Sequence, residues 1–266
     1  MAASGNDFVM LDGRNTSPEE WTAEDIRAIC ARRTGLGADG LVFVAPGSHS
    51  GAVRMTYFNS DGSRAALCGN AALCTTRLAA HLGLANSLGM RLETDAGTFD
   101  GRCARADERA ELHLAPVSAP TDVSAVALQA GERRAALGLV GVPHLVLLVD
   151  DVTGVDVVGR GRPLRYAPAL GPEGANVNFV APGAAAGEWR MRTYERGVEG
   201  ETLACGSGAV AVACTLEHWG LSTLPLALST EGGRVLEVRA QRTGSGAYDD
   251  VWLTGEARMV FRGVLM

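Results

Sequence analysis

The feature that most constrains the fold is an internal repeat. When the 266-residue sequence is laid on itself at an offset of 137 residues, a set of identical residues coincides without a gap. The matched pairs are Tyr57 and Tyr194, Cys68 and Cys205, Gly69 and Gly206, His81 and His218, and Gly83 and Gly220. Because cysteine, histidine and tyrosine are scarce in this chain, their coincidence predicts two copies of one domain rather than a chance alignment.

The repeat also predicts the domain boundaries and the fold class. Residues 1–115 form the predicted N-terminal domain, residues 116–250 form its copy, and a closing strand over 251–266 returns to the first domain. In each copy a strand leads through a glycine-containing loop to Cys-Gly and then to an alanine-rich helix that a glycine terminates. Many strands around one long helix per copy favour an α+β fold over regular βαβ alternation.

Composition excludes several classes of function. All 24 basic residues are arginine, so no lysine is available for a Schiff base with pyridoxal phosphate or for a P-loop. A net charge of -6 without a basic run predicts neither a nucleic-acid partner nor a membrane partner. The start of the sequence does not resemble a signal peptide, and we expect a cytoplasmic protein. Six cysteines without a CxxC pair predict neither a disulfide framework nor a metal site.

Cys68 and Cys205 are the candidate catalytic residues. Each precedes a glycine at the predicted start of a helix, where unpaired N–H groups and the helix dipole stabilise a thiolate. The same N–H groups can bind a substrate carboxylate. Two such cysteines in a repeated fold predict a cleft with a thiol on each face. One thiolate would remove a proton from a carbon and the other thiol would deliver a proton to the opposite face, which inverts a stereocentre. We expect His144 and Glu195 to poise the thiols as thiolate or thiol by hydrogen bonding.

Several motifs in one order make the chain resemble the diaminopimelate epimerase family. The matching segments are Gly5-Asn6-Asp7-Phe8, Gly37-Ala38-Asp39-Gly40, Phe58 to Ser63, Cys68-Gly69-Asn70, Pro143-His144, Asn176-Val177-Asn178-Phe179, Tyr194 to Gly197 and Glu201 to Gly208. The resemblance implies two pseudo-symmetric domains, each a curved mixed or antiparallel sheet wrapped around a central helix, with the active-site cleft between them. It also implies cofactor-independent epimerisation of LL-diaminopimelate to the meso form.

The resemblance further implies the site residues. Cys68 and Cys205 would be the acid/base pair, with His144 and Glu195 in support. The residues expected to contact the substrate are Asn6, Asn59, Gly69, Asn70, Asn176, Glu195, Arg196, Gly206 and Ser207. Arg196 suits a carboxylate, and the asparagines can both donate and accept hydrogen bonds. The other cysteines (Cys30, Cys74, Cys103 and Cys214) are interpreted as structural. The repeated histidines, His81 and His218, are interpreted as stabilising helix ends.

Three positions depart from the family pattern. Ala71 and Leu73 stand where the family usually has glycine and arginine, and Val142 stands where it usually has asparagine. These departures leave open a paralogue that racemises or epimerises another amino acid. A thiol redox protein using Cys68 and Cys205, and an amino-acid-binding module without turnover, remain weaker alternatives. A small amino acid is the expected partner, a homodimer is possible, and a two-sided cleft predicts hinge motion.

Overall fold

The computed structural model describes residues 1–104 and 108–265. The chain divides into two compact units, which we call unit 1 and unit 2. Unit 1 comprises Met1–His113 together with Thr254–Met266, and unit 2 comprises Leu114–Leu253. Strands far outnumber helices in the described residues of both units, so the predicted α+β class is confirmed. None of the helices within residues 1–104 and 108–265 has the length and apolar content needed to span a membrane.

Unit 1 contains a mixed sheet, a crossover helix and a central helix. Its elements are β1 (Ala2–Ala3), β2 (Asn6–Asp12), α1 (Ala23–Cys30), β3 (Gly40–Pro46), β4 (Ala52–Asn59), β5 (Arg64–Ala65), α2 (Gly69–His81), β6 (Met90–Thr94), β7 (Gly97–Cys103) and β8 (Arg109–Leu114). The pairs β2–β3 and β4–β6 are parallel, whereas β1–β2, β3–β4, β4–β5, β6–β7 and β7–β8 are antiparallel.

Unit 2 repeats this order of elements. They are β9 (Thr121–Asp122), β10 (Glu132–Val140), β11 (Val142–Val149), α3 (Val157–Arg165), β12 (Asn176–Pro182), β13 (Trp189–Glu195), β14 (Gly200–Thr202), α4 (Gly206–His218), β15 (Leu226–Ser229), β16 (Val235–Arg242) and β17 (Tyr248–Glu256), whose last three residues belong to unit 1. The pairs β11–β12 and β13–β15 are parallel, and β10–β11, β12–β13, β13–β14 and β15–β16 are antiparallel.

Strand register corrects one detail of the repeat. Pro46 pairs with Val53 in unit 1 and Pro182 pairs with Trp189 in unit 2, so these strands correspond at an offset of 136 residues. At that offset the partner of Tyr57 is Thr193, and the identity of Tyr57 with Tyr194 is a coincidence. The helices α2 and α4 do correspond at 137. The segment between strand and central helix is one residue longer in unit 2 than in unit 1, which accounts for the two offsets. The difference matters because a shift of one residue moves a side chain to the other face of a strand.

Each central helix is enclosed by its own sheet. Unbroken runs of buried residues, Asn70–Thr76 in α2 and Gly208–Leu216 in α4, extend over about two turns and therefore face every direction around the axis. Most residues in these runs are alanine, valine, threonine or cysteine, which lets the strands approach closely. The buried hydroxyls of Thr75 and Thr76 donate to the carbonyl oxygens of Ala71 and Ala72, at 2.8 and 2.9 Å.

The two faces of the unit 2 sheet pack against different helices. Val146, Val180 and Met191 belong to the core around α4, whereas Leu145 and Phe179 belong to a second core that includes Val157 and Leu164 of α3. Neighbouring residues of β11 and β12 thus alternate between the two cores, as the period of a strand requires. The same alternation directs His144 and Asn178 toward the α4 side.

The predicted closing strand is wrong in its extent. Residues 251–266 were expected to form it, but β17 begins at Tyr248 and ends at Glu256. Arg258 makes only an isolated bridge with Ala2, and residues 259–265 have no regular structure. The apolar side chains of Phe261 and Val264 are exposed, because no described strand pairs with this segment.

The glycines that end the central helices provide a test of the repeated fold. Gly83 and Gly220 have φ values of 70° and 71°, and open space surrounds both. We expect Gly83→Ala and Gly220→Ala each to lower the free energy of unfolding by about 1 kcal/mol, because an L side chain is strained in this conformation. Urea denaturation measures the change. Gly89→Ala, also in open space but without positive φ, is the control, and an equal loss in this variant would contradict the explanation.

Candidate active site

Both candidate cysteines occupy the N-cap of a central helix. Cys68 and Cys205 have extended backbone conformations, with φ/ψ of −132°/122° and −127°/114°, and neither side chain caps its own helix. The first intrahelical hydrogen bonds run from Ala72 N–H to Cys68 O and from Ala209 N–H to Cys205 O, both at 2.9 Å. The amides of the intervening residues, 69–71 and 206–208, have no intrahelical acceptor. Each thiol therefore lies beside a set of N–H groups suited to an anion.

The Cys205 thiol lies in a tightly packed part of unit 2. Cys205 is only 6% exposed, and its Sγ lies 3.6 Å from the Ser207 hydroxyl. A Cβ at Gly208 would lie 3.2 Å from Cys205 Sγ and 2.5 Å from Asn178 Oδ1. Glycine is required at this position because the thiol and the Asn178 amide occupy the space of a side chain.

His144 is fully buried in unit 2. It lies in β11 beside Asn176 of β12, and its Nδ1 lies 3.3 Å from Asn178 Nδ2. Burial, with the positive charge of Arg196 as a second cause, lowers the pKa of His144 to about 3. The imidazole is therefore neutral at physiological pH. Its Nε2 is buried and has no hydrogen-bond partner within the described part of the chain.

Asn176 and Arg196 form a connected pair near His144. The Arg196 backbone N–H donates to Asn176 Oδ1 at 2.7 Å, while the Arg196 guanidinium lies 3.1 Å from the carboxylate of Glu173. The Glu173 side chain is 78% exposed. Because an exposed ion pair contributes little free energy, a substrate carboxylate can compete with Glu173 for Arg196.

Glu195 ends strand β13, immediately before Arg196. Burial raises the pKa of its carboxyl group above the usual value. A carboxyl group in such an environment exchanges a proton closer to neutral pH than an exposed one, which suits a group that supports proton transfer.

The candidate residues of unit 1 meet at the start of α2. Asn70 is 3% exposed, and its Nδ2 donates to Asn6 Oδ1 at 2.7 Å. Asn6 Nδ2 in turn donates to Asp39 Oδ2 at 2.9 Å. The buried Asn70 Oδ1 accepts no hydrogen bond from any residue that the structure describes. An ammonium group is a donor that could satisfy it.

Asn59 contributes to a turn in this structure. Its Nδ2 donates to the Ser63 hydroxyl at 3.0 Å, and its backbone N–H donates to Ser63 O at 2.9 Å. The next residue, Ser60, donates through its backbone N–H to Asp39 O at 3.1 Å, so the turn lies beside the contact between Asn6 and Asp39. A substrate role for Asn59 would use the part of the amide that the turn does not occupy.

Desolvation raises the pKa of the four remaining cysteine thiols. Cys30, Cys74 and Cys214 belong to the buried core, and desolvation raises the pKa of their thiols to about 11, 12 and 12. Burial also raises the pKa of Cys103. Such thiols remain protonated at neutral pH and are poor nucleophiles or bases.

Two residues near His144 were missed by the sequence reasoning as site candidates. Asn178 and Thr193 are buried on neighbouring strands, directly opposite each other in the β12–β13 pair. A signal was available, because asparagine at both Asn176 and Asn178 places two amides on one face of a strand that is otherwise apolar.

The positions that depart from the family pattern occupy different environments. Ala71 and Leu73 are fully buried in α2, and Leu73 contributes to packing rather than to a polar surface. Val142 is the first residue of β11 and is half-buried. Its side chain replaces an amide with an apolar group two residues before His144.

His144 generates a prediction about stability and pH. The unfolded chain binds a proton on this histidine below its usual pKa near 6.5, whereas the folded chain does not until about pH 3. The free energy of unfolding therefore falls as the pH decreases from 6.5, with a contribution approaching about 1.4 kcal/mol per pH unit. His144→Gln removes this contribution, which urea denaturation between pH 6.5 and 4.5 measures. His49→Gln, in an exposed loop, is the control. Parallel curves for wild type and His144→Gln would contradict burial of a neutral imidazole.

Comparison with known proteins identifies relatives over nearly the whole chain. The family model described as diaminopimelate epimerase matches residues 1–117 and 137–260. A diaminopimelate epimerase of Gemmatimonas aurantiaca is 46% identical, covering 99% of this chain and 96% of the relative. One from Aquifex aeolicus is 36% identical, covering 100% and 96%.

Solved structures show the same fold at much lower identity. A phenazine biosynthesis protein of the PhzF family from Bacillus anthracis superimposes with a TM-score of 0.68 at 14% identity, covering 95% of this chain and 90% of that chain. A probable proline racemase from Agrobacterium radiobacter gives a TM-score of 0.58 at 19% identity, covering 91% and 79%. These two likenesses show the fold alone, whereas the sequence matches establish kinship: the chain belongs to the diaminopimelate epimerase family.

Proposed function

We propose that this protein interconverts LL- and meso-diaminopimelate by proton transfer at Cα, without pyridoxal phosphate. The match of the diaminopimelate epimerase model across residues 1–117 and 137–260 carries the proposal. The relative from Gemmatimonas aurantiaca, named a diaminopimelate epimerase and 46% identical, supports it further. Both proposed acid/base residues, Cys68 and Cys205, lie at helix starts suited to a thiolate.

The proposed reaction needs one thiolate and one thiol. The thiolate takes the proton from Cα, and the electron pair of the broken C–H bond remains on the substrate as a carbanion delocalised into the α-carboxylate. The second thiol then gives its proton to the opposite face of Cα and becomes a thiolate. One centre is inverted, so the LL form becomes the meso form. The mechanism requires Cα to lie between the two sulfur atoms, with no oxidant or metal consumed.

The helix starts supply the proposed electrostatic stabilisation. The N–H groups of residues 69–71 and 206–208 have no intrahelical acceptor and carry the positive end of the helix dipole. Directed at the α-carboxylate, they would stabilise the charge that develops when the proton leaves. This fixed field would perform the task for which other racemases use the ring of pyridoxal phosphate.

Polar side chains of both units supply the proposed substrate contacts. Arg196 would bind a carboxylate in place of Glu173, and Asn70 Oδ1 would accept from an ammonium group. Asn6, Asn59 and Asn176 would contribute further amide contacts. Glu195 and His144 would act on the protonation states of the thiols.

Solvent deuterium exchange tests the substrate directly. With LL-diaminopimelate in heavy water, we expect deuterium at Cα together with formation of the meso form, because the proton delivered by the second thiol comes from solvent. Mass spectrometry and NMR measure both changes. Exchange with histidine, proline or arginine, but none with diaminopimelate, would contradict the proposed substrate. The chain would then be a paralogue that acts on another amino acid, the alternative that the departure at Val142 leaves open.

Single cysteine variants test the two-thiol mechanism. Cys68→Ala and Cys205→Ala should each lower kcat/KM for epimerisation at least about 1,000-fold, because each removes one of the two proton-transfer groups. Any exchange that remains should occur with opposite epimers in the two variants, since the surviving thiolate reaches only one face of Cα. Cys103→Ala is the control and should retain wild-type turnover. Inversion by either variant at a near wild-type rate would refute the mechanism.

The location and assembly of the protein remain predictions. A reducing compartment keeps thiols from forming disulfides, which supports the proposed cytoplasmic location of a two-thiol enzyme. The homodimer also stays a prediction.

A further inference from the structure

Three corresponding positions of the repeat differ in polarity between the units. In unit 1 the adjacent strands β2, β3 and β4 carry Phe8, Val42 and Tyr57, and the rings of Phe8 and Tyr57 pack edge to face at 6.1 Å. At an offset of 136 residues the corresponding positions in unit 2 are His144, Asn178 and Thr193. The sheet therefore folds with apolar and aromatic residues at these positions, and the polar set of unit 2 calls for a reason other than the fold.

The hydrogen bonds of Asn178 determine the orientation of its amide. Asn178 Nδ2 donates to the backbone oxygen of Leu145 at 3.2 Å, an atom that can only accept. The Thr193 hydroxyl donates to Asn178 Oδ1 at 3.0 Å from the opposite side. With the amide held in this way, the group that faces His144 Nδ1 at 3.3 Å is the Nδ2 donor.

A donor on Asn178 determines the position of the proton on His144. Nδ1 must accept the hydrogen bond from Asn178 Nδ2, so the proton of the neutral imidazole is on Nε2. This Nε2 is fully buried, and no acceptor for it exists within residues 1–104 and 108–265. A buried N–H without a partner is unfavourable, which favours binding of an acceptor there.

The Asn178 amide also lies against Cys205. We call the site residues of unit 2 around this cysteine the Cys205 half of the candidate site. Asn178 Oδ1 and Cys205 Sγ both line the space above the α-carbon of Gly208, at 2.5 and 3.2 Å from the position of a Cβ. Arg196 is close enough to His144 to affect the imidazole electrostatically. Asn178 thus contacts His144 on one side and lies against the packing around Cys205 on the other, which places the imidazole one side chain away from the candidate thiol.

We propose that Asn178 and Thr193 are positioning residues that hold His144 as the neutral Nε2–H tautomer, so that the imidazole donates a hydrogen bond to an anion in the Cys205 half of the site. The assignment of the tautomer stands on the hydrogen bonds alone. The identification of the anion as the substrate carboxylate or the Cys205 thiolate rests on the proposed function.

Nitrogen NMR of the histidine side chains tests the tautomer. In protein labelled with 15N-histidine, long-range 1H–15N correlations distinguish Nε2–H, Nδ1–H and doubly protonated rings, and His144→Gln assigns the signal. We expect Nε2–H for His144 at pH 7 and still at pH 5. A proton on Nδ1 in the wild-type protein would overturn the proposal.

Asn178→Asp tests the positioning role with little change of shape. A carboxylate can accept but cannot donate to Nδ1, so we expect the proton to appear on Nδ1 or on both ring nitrogens. Asn178→Val introduces valine, the residue at the corresponding position Val42 of unit 1, and removes the donor to Nδ1. We therefore expect the single Nε2–H signal to become a mixture of tautomers. Either variant decides the question if the other does not fold. Unchanged Nε2–H in a folded variant would overturn the role of Asn178. Asn86→Asp, in an exposed loop of unit 1, is the control for the added charge.

Kinetics with diaminopimelate separate the two possible anions. We expect Asn178→Asp to lower kcat/KM at least 10-fold, whereas Asn86→Asp does not. A rise in KM indicates a carboxylate acceptor, and a fall in kcat with a displaced pH profile indicates the thiolate. If Asn178→Asp shifts the tautomer but keeps wild-type kinetics, the proposed hydrogen bond from His144 to an anion has no role in the reaction, and that part of the proposal is refuted. If diaminopimelate is not turned over at all, the proposed function fails, while the NMR result still decides the tautomer.

Discussion

The enclosure of a helix by a sheet is the constraint on which the rest of this structure depends. A helix that contacts strands on all sides needs small side chains, which explains the alanine-rich composition of α2 and α4. Each of these helices also begins at a cysteine whose side chain does not cap it. The cysteine adds a titratable group beside the positive end of the helix dipole. Packing around the helix and the proposed reactivity of its cysteine therefore share one position in each unit.

The repeat gives the two units the same framework and different chemistry. In unit 1, Phe8 and Tyr57 fill the region beside β3 with aromatic rings, and the polar contacts lie between Asn70, Asn6 and Asp39. In unit 2 the corresponding strands carry buried polar residues that hydrogen-bond to one another. The proposed mechanism needs one thiol group to begin as thiolate and the other as thiol. Unlike surroundings for the two cysteines are consistent with that need, because local charge and hydrogen bonding control the pKa of a thiol.

Prediction from sequence succeeded where a local rule determines the outcome. Cys-Gly before an alanine-rich run and a glycine after it defined both central helices, since capping and termination depend on neighbouring residues. Prediction failed where the pairing of strands determines the structure. Residues 259–265 have the apolar content of a strand but pair with no strand among the residues that the structure describes. Tyr57 and Tyr194 are identical, but the strands that carry them correspond at an offset of 136 rather than 137 residues. Asn178 was missed although two asparagines on one face of an apolar strand were a signal, because its hydrogen-bond partners lie on other strands and are known only from the structure.

The sequence by itself determined the repeat, the α+β class, the two helix starts and, through ordered motifs, the family. These properties depend on residues close together in the chain or on a pattern that the whole family shares. Only the tertiary structure decided which face each strand residue occupies, that His144 is buried and neutral, and that the Asn178 amide and the Thr193 hydroxyl meet it. The reason is physical: burial and hydrogen bonds between separate strands are set by register, and a shift of one residue exchanges the two faces of a sheet.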